Sequence, residues 1–128
     1  MENFMLEGTS KTPRVDFNAQ TGILELSGRS IPENAVDFYK PLYDWLDQYV
    51  SSPRSNTEVV IKLEYFNTSS SKCLLDVFKK AEELTRNSLD PVVVKWYYEI
   101  DDEDMLEAGE DYEIIINIPF QKIPVEEL

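Results

Sequence analysis

Four consecutive hydroxyl side chains, Thr68–Ser71, are the residues of this sequence best suited to chemistry. They follow Asn67, directly after an alternating apolar run that ends at Phe66. A hydroxyl can cap a helix by accepting a hydrogen bond from a free backbone N–H group, and it can also accept a phosphoryl group, which adds about −1.5 to −2 charge. Capping uses one side chain and leaves three without a role, so both interpretations stay open.

The charge and composition exclude many other kinds of chemistry. The chain has 25 acidic and 12 basic residues, a net charge of −13, no histidine and the single cysteine Cys73. Nucleic acids are bound through clustered Lys and Arg, so neither nucleic acid nor an anionic membrane is an expected partner. Without histidine, a zinc site or a His-activated nucleophile cannot be assembled. We therefore predict no metal, no cofactor and no catalytic residue, although the absence of histidine leaves carboxylate chemistry possible.

The N-terminal half reads as a hairpin followed by a helix. Val15–Phe17 and Ile23–Leu26 are short strand-like runs, and Gly22 between them can adopt the positive φ that such turns often need. Apolar residues then recur at helical spacing over Ala35–Val50. Pro41 lies inside this pattern, which predicts a kink or a break just before it.

A strand, a second helix and another strand follow. Thr57–Phe66 alternates, which predicts that its odd-numbered apolar residues, including Tyr65, share a core face. Cys73–Leu84 has the apolar stripe of an amphipathic helix. Val92–Tyr98 reads as a strand that places Trp96 in the core, together with Tyr98.

The C-terminal part contains an acidic string and an apolar run. Asp101–Asp104 could hold a hard cation, but its spacing does not match an EF-hand loop, and the first turn of a helix explains it more simply. Tyr112–Phe120 fits either a strand or a helix by pattern, and its isoleucines favour a strand.

The order of these elements predicts a small α/β domain, with an N-terminal hairpin and parallel βαβ crossovers in a mixed sheet packed against helices. A length of 128 residues suits a single domain spanning residues 1–128. Thr68–Ser71 would then lie at the carboxyl end of a parallel strand and the amino end of a helix, where ligands collect and anions are tolerated. The lone cysteine and the absence of a signal-like N-terminus suggest the cytoplasm.

Three separated blocks of the sequence, 6–46, 65–72 and 92–112, resemble the SiaC family of bacterial regulatory phosphoproteins. The second block reads "YFNTSSSK", and the third contains the unusual string "DDEDMLEAGED". The resemblance implies a STAS-like fold and phosphorylation of Thr68. It also implies a Ser/Thr kinase of the histidine-kinase-like ATPase type and a PP2C-type phosphatase. The unmodified form would bind and promote a diguanylate cyclase, which connects the protein to cyclic-di-GMP signalling and biofilm formation.

The resulting mechanism is a binding switch. Unmodified Thr68 would lie within a surface docked by the partner, with Asn67, Ser69, Ser70 and Lys72 around it. A phosphate buried there would cost the complex about 2–5 kcal/mol. This corresponds to weakening on the order of 30-fold to a few thousand-fold.

Two alternatives to the switch remain open at this point. The first is a small hydrolase or transferase that uses a carboxylate pair such as Glu64 and Asp76, which would require a concave pocket between them. The second is an unregulated protein-binding domain in which the hydroxyls only cap a helix.

Overall fold

In the part of the chain that the structure describes, a six-stranded mixed sheet carries three helices. The computed structural model describes residues 1–53, 56–87 and 91–128. In chain order the elements are β1 (Phe4–Leu6), β2 (Arg14–Asn18), β3 (Ile23–Ser30), α1 (Ala35–Ser51), β4 (Thr57–Phe66), α2 (Thr68–Asn87), β5 (Val92–Glu99), α3 (Glu103–Ile115) and β6 (Phe120–Val125).

The strands lie in the sheet in the same order as in the chain. β1, β2 and β3 pair antiparallel, whereas β3, β4, β5 and β6 pair parallel. Each parallel connection contains one helix, and such crossovers are almost always right-handed. Three successive crossovers in one direction therefore place α1, α2 and α3 on the same face of the sheet. The predicted fold class, a small α/β domain with a hairpin and parallel crossovers, is confirmed.

The core lies between this sheet face and the helices. Leu24 pairs with Val59, Val59 with Val94, and Val94 with Phe120, so a row of apolar side chains crosses four strands on one face. These residues belong to the same buried cluster as Trp96 and the apolar residues of all three helices. Trp96 is fully buried, as its position in the alternating pattern predicted.

The opposite face of the sheet is polar. Glu25 lies 3.4 Å from the Lys62 ammonium, and Lys95 donates to Glu58 at 2.8 Å. Lys62 also lies over the ring of Tyr97, 5.1 Å from its centroid. These pairs are half-buried at the surface of the sheet, where solvent screening keeps the contribution of each to stability small.

The structure tests two local predictions in the N-terminal half. The hairpin is confirmed, and Gly22 has a positive φ of 76°. The prediction near Pro41 was a kink or a break, and the break is excluded because α1 runs through Pro41, so that the kink stays a prediction. Pro41 and Asp37, whose carbonyl loses its helical donor, both lie on the exposed side where water can bind that carbonyl.

The end of β4 departs from simple alternation. The register with β3 shifts between Gly28 and Arg29, whose partners are Leu63 and Tyr65, so Glu64 is an extra residue on β4. After this bulge, the side chains that simple alternation would send to the core point outward, and the others point inward. Tyr65 is 50% exposed, whereas Phe66 packs against the core. The prediction that Tyr65 faces the core is therefore wrong.

The prediction of a strand for the C-terminal apolar run is wrong over its first part. α3 continues to Ile115, and β6 begins only at Phe120. The buried residues of α3, Met105, Gly109 and Tyr112, have helical spacing. A Cβ at Gly109 would lie 2.8 Å from the Trp96 ring, so glycine permits this close approach. Packing of this face overrides the strand preference of the isoleucines.

Candidate functional site

Asn67 joins the end of β4 to the start of α2. Its backbone N–H donates to the Ser30 carbonyl at 3.0 Å, which continues the pairing with β3. Its side-chain oxygen accepts from the Ser70 N–H at 2.8 Å, and its carbonyl accepts from the Ser71 N–H at 3.0 Å. Asn67 is therefore the N-cap of α2, so the hydroxyls that follow are not needed for capping.

Two of the four hydroxyls are engaged in internal hydrogen bonds. Ser70 is fully buried, and its Oγ donates to the Ser30 carbonyl at 3.0 Å and accepts from the Ser30 Oγ at 2.8 Å. The Oγ of Ser71, which is half-buried, donates to the Thr68 carbonyl at 2.6 Å. The Ser70 hydroxyl thus ties the first turn of α2 to β3, and the Ser71 hydroxyl bonds within that turn.

The other two hydroxyls, Thr68 and Ser69, are exposed. In the part of the chain that the structure describes, the Thr68 hydroxyl has no hydrogen-bond partner. Both residues line a cleft of about 420 Å³ between the start of α1 and the start of α2. The cleft is lined by Glu33, Asn34, Ala35, Val36, Tyr43, Thr68, Ser69, Lys72, Cys73 and Asp76. Of the four hydroxyls, those of Thr68 and Ser69 are thus the two that a second molecule can reach.

Tyr39 extends the buried hydroxyl cluster into α1. Its phenol oxygen lies 2.8 Å from the Ser30 Oγ, and Tyr39, Ser30 and Ser70 are all fully buried. Burial raises the pKa of Tyr39 to about 12, although the hydrogen bond between Tyr39 and Ser30 acts in the opposite direction. The three hydroxyls connect α1, the end of β3 and the first turn of α2.

Two further tyrosines hold the beginning of α2 from either side. Tyr43 of α1 donates to the Cys73 carbonyl at 3.1 Å, and Tyr112 of α3 donates to the Ser71 carbonyl at 2.7 Å. Burial raises the pKa of both phenols, and for Tyr43 the hydrogen bond to Cys73 adds to the effect. The turn that carries Thr68 is thus fixed by side chains from β3, α1 and α3.

Charges of both signs surround the Thr68 hydroxyl. Glu33 and Asp76 line the same cleft, and so does Lys72, which is one helical turn after Thr68. The amino end of α2 adds a partial positive charge from its free N–H groups. A phosphate on Thr68 would therefore share its cleft with one cation and two carboxylates, at the amino end of a helix.

The structure does not bring Glu64 and Asp76 together. Asp76 lines the Thr68 cleft, whereas Glu64 lines a different cleft with Asp104 and Tyr65, and the two clefts have no residue in common. The two carboxylates considered as a pair from the sequence thus line two separate clefts.

The acidic string acts as the start of a helix. The Asp102 carboxylate accepts from the Met105 N–H at 3.0 Å and caps α3. Within residues 1–53, 56–87 and 91–128, no group of three or more metal-ligating side chains is placed to hold an ion. Over the same residues, no helix is long and apolar enough to cross a bilayer.

A family model described as SiaC family regulatory phosphoprotein matches residues 6–125 of the chain. The chain belongs to the SiaC family. A solved structure of SiaC from Pseudomonas aeruginosa is 27% identical, with a TM-score of 0.88 over 98% of this chain and 100% of that one. A crystal structure of the diguanylate cyclase SiaD in complex with its activator SiaC, from the same species, contains a chain that is 28% identical. That match has a TM-score of 0.88 and covers 95% of this chain and 99% of the other.

A curated relative of the SiaC-family chain is an uncharacterized protein of Pseudomonas aeruginosa strain UCBPP-PA14. It is 29% identical over 120 residues, which cover 94% of each chain. The relatives thus span nearly the whole chain, including both sides of the Thr68 cleft. They establish a regulatory phosphoprotein family, in which one SiaC is an activator of a cyclase.

Sequence reasoning missed several residues that position the site in this SiaC-family protein. Ser30, Tyr39, Tyr43 and Tyr112 come from three different elements, and their sequence neighbours give no sign that they meet. The one feature that these residues share in the sequence is a hydroxyl group inside an apolar pattern. A hydroxyl that is buried there requires a hydrogen-bond partner. This feature identifies a hydroxyl that must form a hydrogen bond, but it does not identify the residue to which the hydroxyl bonds.

Proposed function

We propose that this protein is a non-enzymatic signalling domain, formed by residues 1–128, that is switched by reversible phosphorylation of Thr68. The unmodified form binds and promotes a diguanylate cyclase in the cytoplasm, and the phosphorylated form releases it. The observation that carries the proposal is the exposed Thr68 hydroxyl at the amino end of α2, in a cleft, while Ser70 and Ser71 are engaged internally. Family membership and the cyclase complex of a relative support it.

The proposed docking surface surrounds Thr68. Ser69 and Lys72 are exposed beside it, and the half-buried Asn67 forms its edge. Ser70 belongs to the same turn but is buried, so its part is to hold the turn in place. A partner that covers this surface would remove water from the Thr68 hydroxyl without having to reorganise α2.

The switch acts on the complex more than on the fold. A dianion placed in the docked surface would cost about 2–5 kcal/mol, or on the order of 30-fold to a few thousand-fold in affinity. Within the free protein, the helix N-terminus and Lys72 favour the phosphate, whereas Glu33 and Asp76 oppose it. These local effects are each roughly 0.3–1 kcal/mol, so we expect partner exchange without refolding.

The geometry restricts the proposed modifying enzymes. Thr68 is the first residue of α2, and the Ser71 N–H is already bonded to the Asn67 carbonyl. The kinase, which we infer to be of the histidine-kinase-like ATPase type, must therefore recognise a folded helical turn rather than an extended peptide. The PP2C-type phosphatase that reverses the reaction must approach the same cleft.

The experiment that tests the switch is intact-mass and fragment analysis after incubation with ATP and a lysate of the native organism. We expect one phosphoryl group on the wild type and on Ser69→Ala, and none on Thr68→Ala. The modified and unmodified proteins are then titrated with the native diguanylate cyclase. A phosphoryl group that persists in Thr68→Ala, or equal cyclase affinity for both forms, would contradict the proposal.

A further inference from the structure

The sheet has one face that the helices leave open. Because α1, α2 and α3 pack on the same side, no helix lies over the other side within residues 1–53, 56–87 and 91–128. One row of outward-pointing side chains crosses all six strands there. In strand order, the row consists of Met5, Asp16, Glu25, Val60, Lys95 and Gln121. This side of the sheet is called here the open sheet face.

Apolar side chains occupy several outward positions of the open sheet face. They are Met5, Ile23, Val60, Val93, Tyr97 and Ile123. Met5 is 55% exposed and Ile23 is 41% exposed, whereas Val60 is buried at the centre of the face. A sheet face that contacts only water usually carries polar residues at such positions. Exposed apolar side chains around an apolar centre indicate an interaction surface.

The ion pairs of the open sheet face carry no net charge. Three basic residues pair there with three acidic ones, namely Arg14, Lys62 and Lys95 with Asp16, Glu25 and Glu58. The whole chain carries −13, so two copies repel each other over most of their surfaces. The open sheet face is an exception, and the pairing within each copy lowers the cost of removing water from its charges.

The charges are also arranged so that this face complements itself. In the row that crosses the sheet, Asp16 of β2 and Glu25 of β3 are acidic, and Lys95 of β5 is basic. A two-fold axis parallel to the strands, between β3 and β4, would place β2 of one copy opposite β5 of the other. Asp16 would then face Lys95 of the second copy, and the symmetry would repeat this pair. In the next row, Arg14 would face the Tyr97 ring, which suits a cation–π contact.

The area of this face suits a weak, reversible dimer. Six strands at a spacing of about 4.8 Å span roughly 24 Å, and five residues along a strand span roughly 17 Å. The face thus measures roughly 400 Å² in projection on each copy. Since accessible area exceeds projected area, two copies would bury roughly 1,000 Å² in total, at the lower limit of specific interfaces.

We propose that the open sheet face is the interface between two copies of this chain, which pack face to face about a two-fold axis. A second copy fits this face better than a strongly basic or acidic partner, because the face is neutral and complementary to itself. The helices would lie on the outer sides of the dimer, so both Thr68 turns would stay accessible. The inference goes beyond the proposed function and does not depend on it.

The test is sedimentation velocity of the full chain and of two charge-reversal variants, alone and mixed. In a dimer of Asp16→Lys, or of Lys95→Glu, like charges would oppose each other at both symmetric positions. In a 1:1 mixture of the two variants, opposite charges would meet at both positions. The controls are Asp44→Lys and Lys79→Glu, which make the same charge changes at exposed positions of α1 and α2.

We expect the wild type to dimerise with a dissociation constant on the order of 10–100 μM. Each charge-reversal variant should dimerise at least about 10-fold more weakly, the mixture should recover wild-type affinity, and the controls should stay within about 2-fold. A wild type that is still monomeric at about 500 μM would overturn the proposal. Variants that dimerise like wild type, or a mixture that stays monomeric although both variants are folded by circular dichroism, would also overturn it.

Cross-linking of the wild type tests the same contact without a substitution. A carbodiimide joins a carboxylate to an amine with the loss of water, and it should link Asp16 to Lys95. Within one copy these residues are three strands, or roughly 14 Å, apart, which is too far for a direct bond between their side chains. The link should therefore occur in the covalent dimer. Its absence from that dimer would contradict the proposed symmetry, even if a charge-reversal variant did not fold.

Discussion

Ser30 and Ser70 lie 40 positions apart in the chain, yet their Oγ atoms are 2.8 Å apart and fully buried. The Ser70 hydroxyl also donates to the Ser30 carbonyl at 3.0 Å. These bonds tie the first turn of α2 to the end of β3. The position of Thr68 relative to the sheet is therefore set by buried hydrogen bonds, while its own hydroxyl stays exposed.

Removing the Ser70 hydroxyl should destabilise the fold. Ser70→Ala leaves the buried Ser30 carbonyl without this donor, which should lower the free energy of unfolding by about 1–3 kcal/mol in urea denaturation. Ser69→Ala is the matched control, and it should stay within about 0.5 kcal/mol of wild type because Ser69 is exposed. Equal stabilities for the two variants would contradict a structural role for Ser70.

Replacing the N-cap should weaken the start of α2. Asn67→Ala removes the acceptor of the Ser70 N–H, and we expect a loss of about 0.5–2 kcal/mol in thermal or urea unfolding. Asn67→Asp keeps an acceptor oxygen and adds a favourable charge at a helix N-terminus, so it should be at least as stable as wild type. An aspartate variant as unstable as the alanine variant would show that Asn67 acts in another way.

Tyr39 should make the stability depend on pH in the alkaline range. Its pKa is raised from 10.0 to about 12 in the folded protein, because burial disfavours the phenolate. The resulting stabilisation is complete below pH 10 and is lost as the pH rises from 10 to about 12, where the unfolded chain ionises first. For a pKa shift of this size, the total change in the free energy of unfolding is about 3 kcal/mol.

Tyr39→Phe tests this pH dependence. The free energy of unfolding in urea should fall by about 2 kcal/mol more for wild type than for the variant between pH 9 and pH 12, because the folded protein is half ionised at pH 12. The variant will still show some loss, because burial raises the pKa of Tyr43 and Tyr112 as well. Parallel pH profiles for the two proteins would mean that the Tyr39 hydroxyl is not held in the buried cluster.

Lys72 should recognise the phosphate on Thr68 across one helical turn. Phosphorylation should raise the stability of wild type relative to Lys72→Gln by about 0.2–0.5 kcal/mol, as expected for an i, i+4 pair. The measurement is a thermodynamic cycle of phosphorylated and unmodified proteins. Lys79→Gln, an exposed change farther along α2, is the control and should show no coupling. Coupling of equal size at both lysines would indicate a general charge effect.

Much of the fold could be predicted where local pattern and tertiary packing agree. The hairpin around Gly22, the extent of β4 and the buried stripe of α2 all follow from alternation or helical spacing. Predictions were wrong where packing overrides local preference. The isoleucines at the end of α3 favour a strand, but Gly109 and Tyr112 bury a helical face against Trp96.

The candidate site was predicted only in part. Composition and spacing located a hydroxyl-rich helix start, and the resemblance to a family singled out Thr68 within it. Exposure in the structure separates Thr68 and Ser69 from Ser70 and Ser71, which no local pattern distinguishes. The tyrosines that fix the turn come from distant parts of the chain, and one sequence contains no information on such pairings.

The bulge at Glu64 restricts how this part of the chain can vary in length. It turns Tyr65 outward and Phe66 inward, just before Asn67 caps α2. Deleting or inserting one residue between Leu63 and Asn67 would exchange these faces and shift the helix start relative to Ser30. Substitutions are thus tolerable at exposed positions of this segment, whereas a change in its length would separate the phosphorylatable turn from the sheet that positions it.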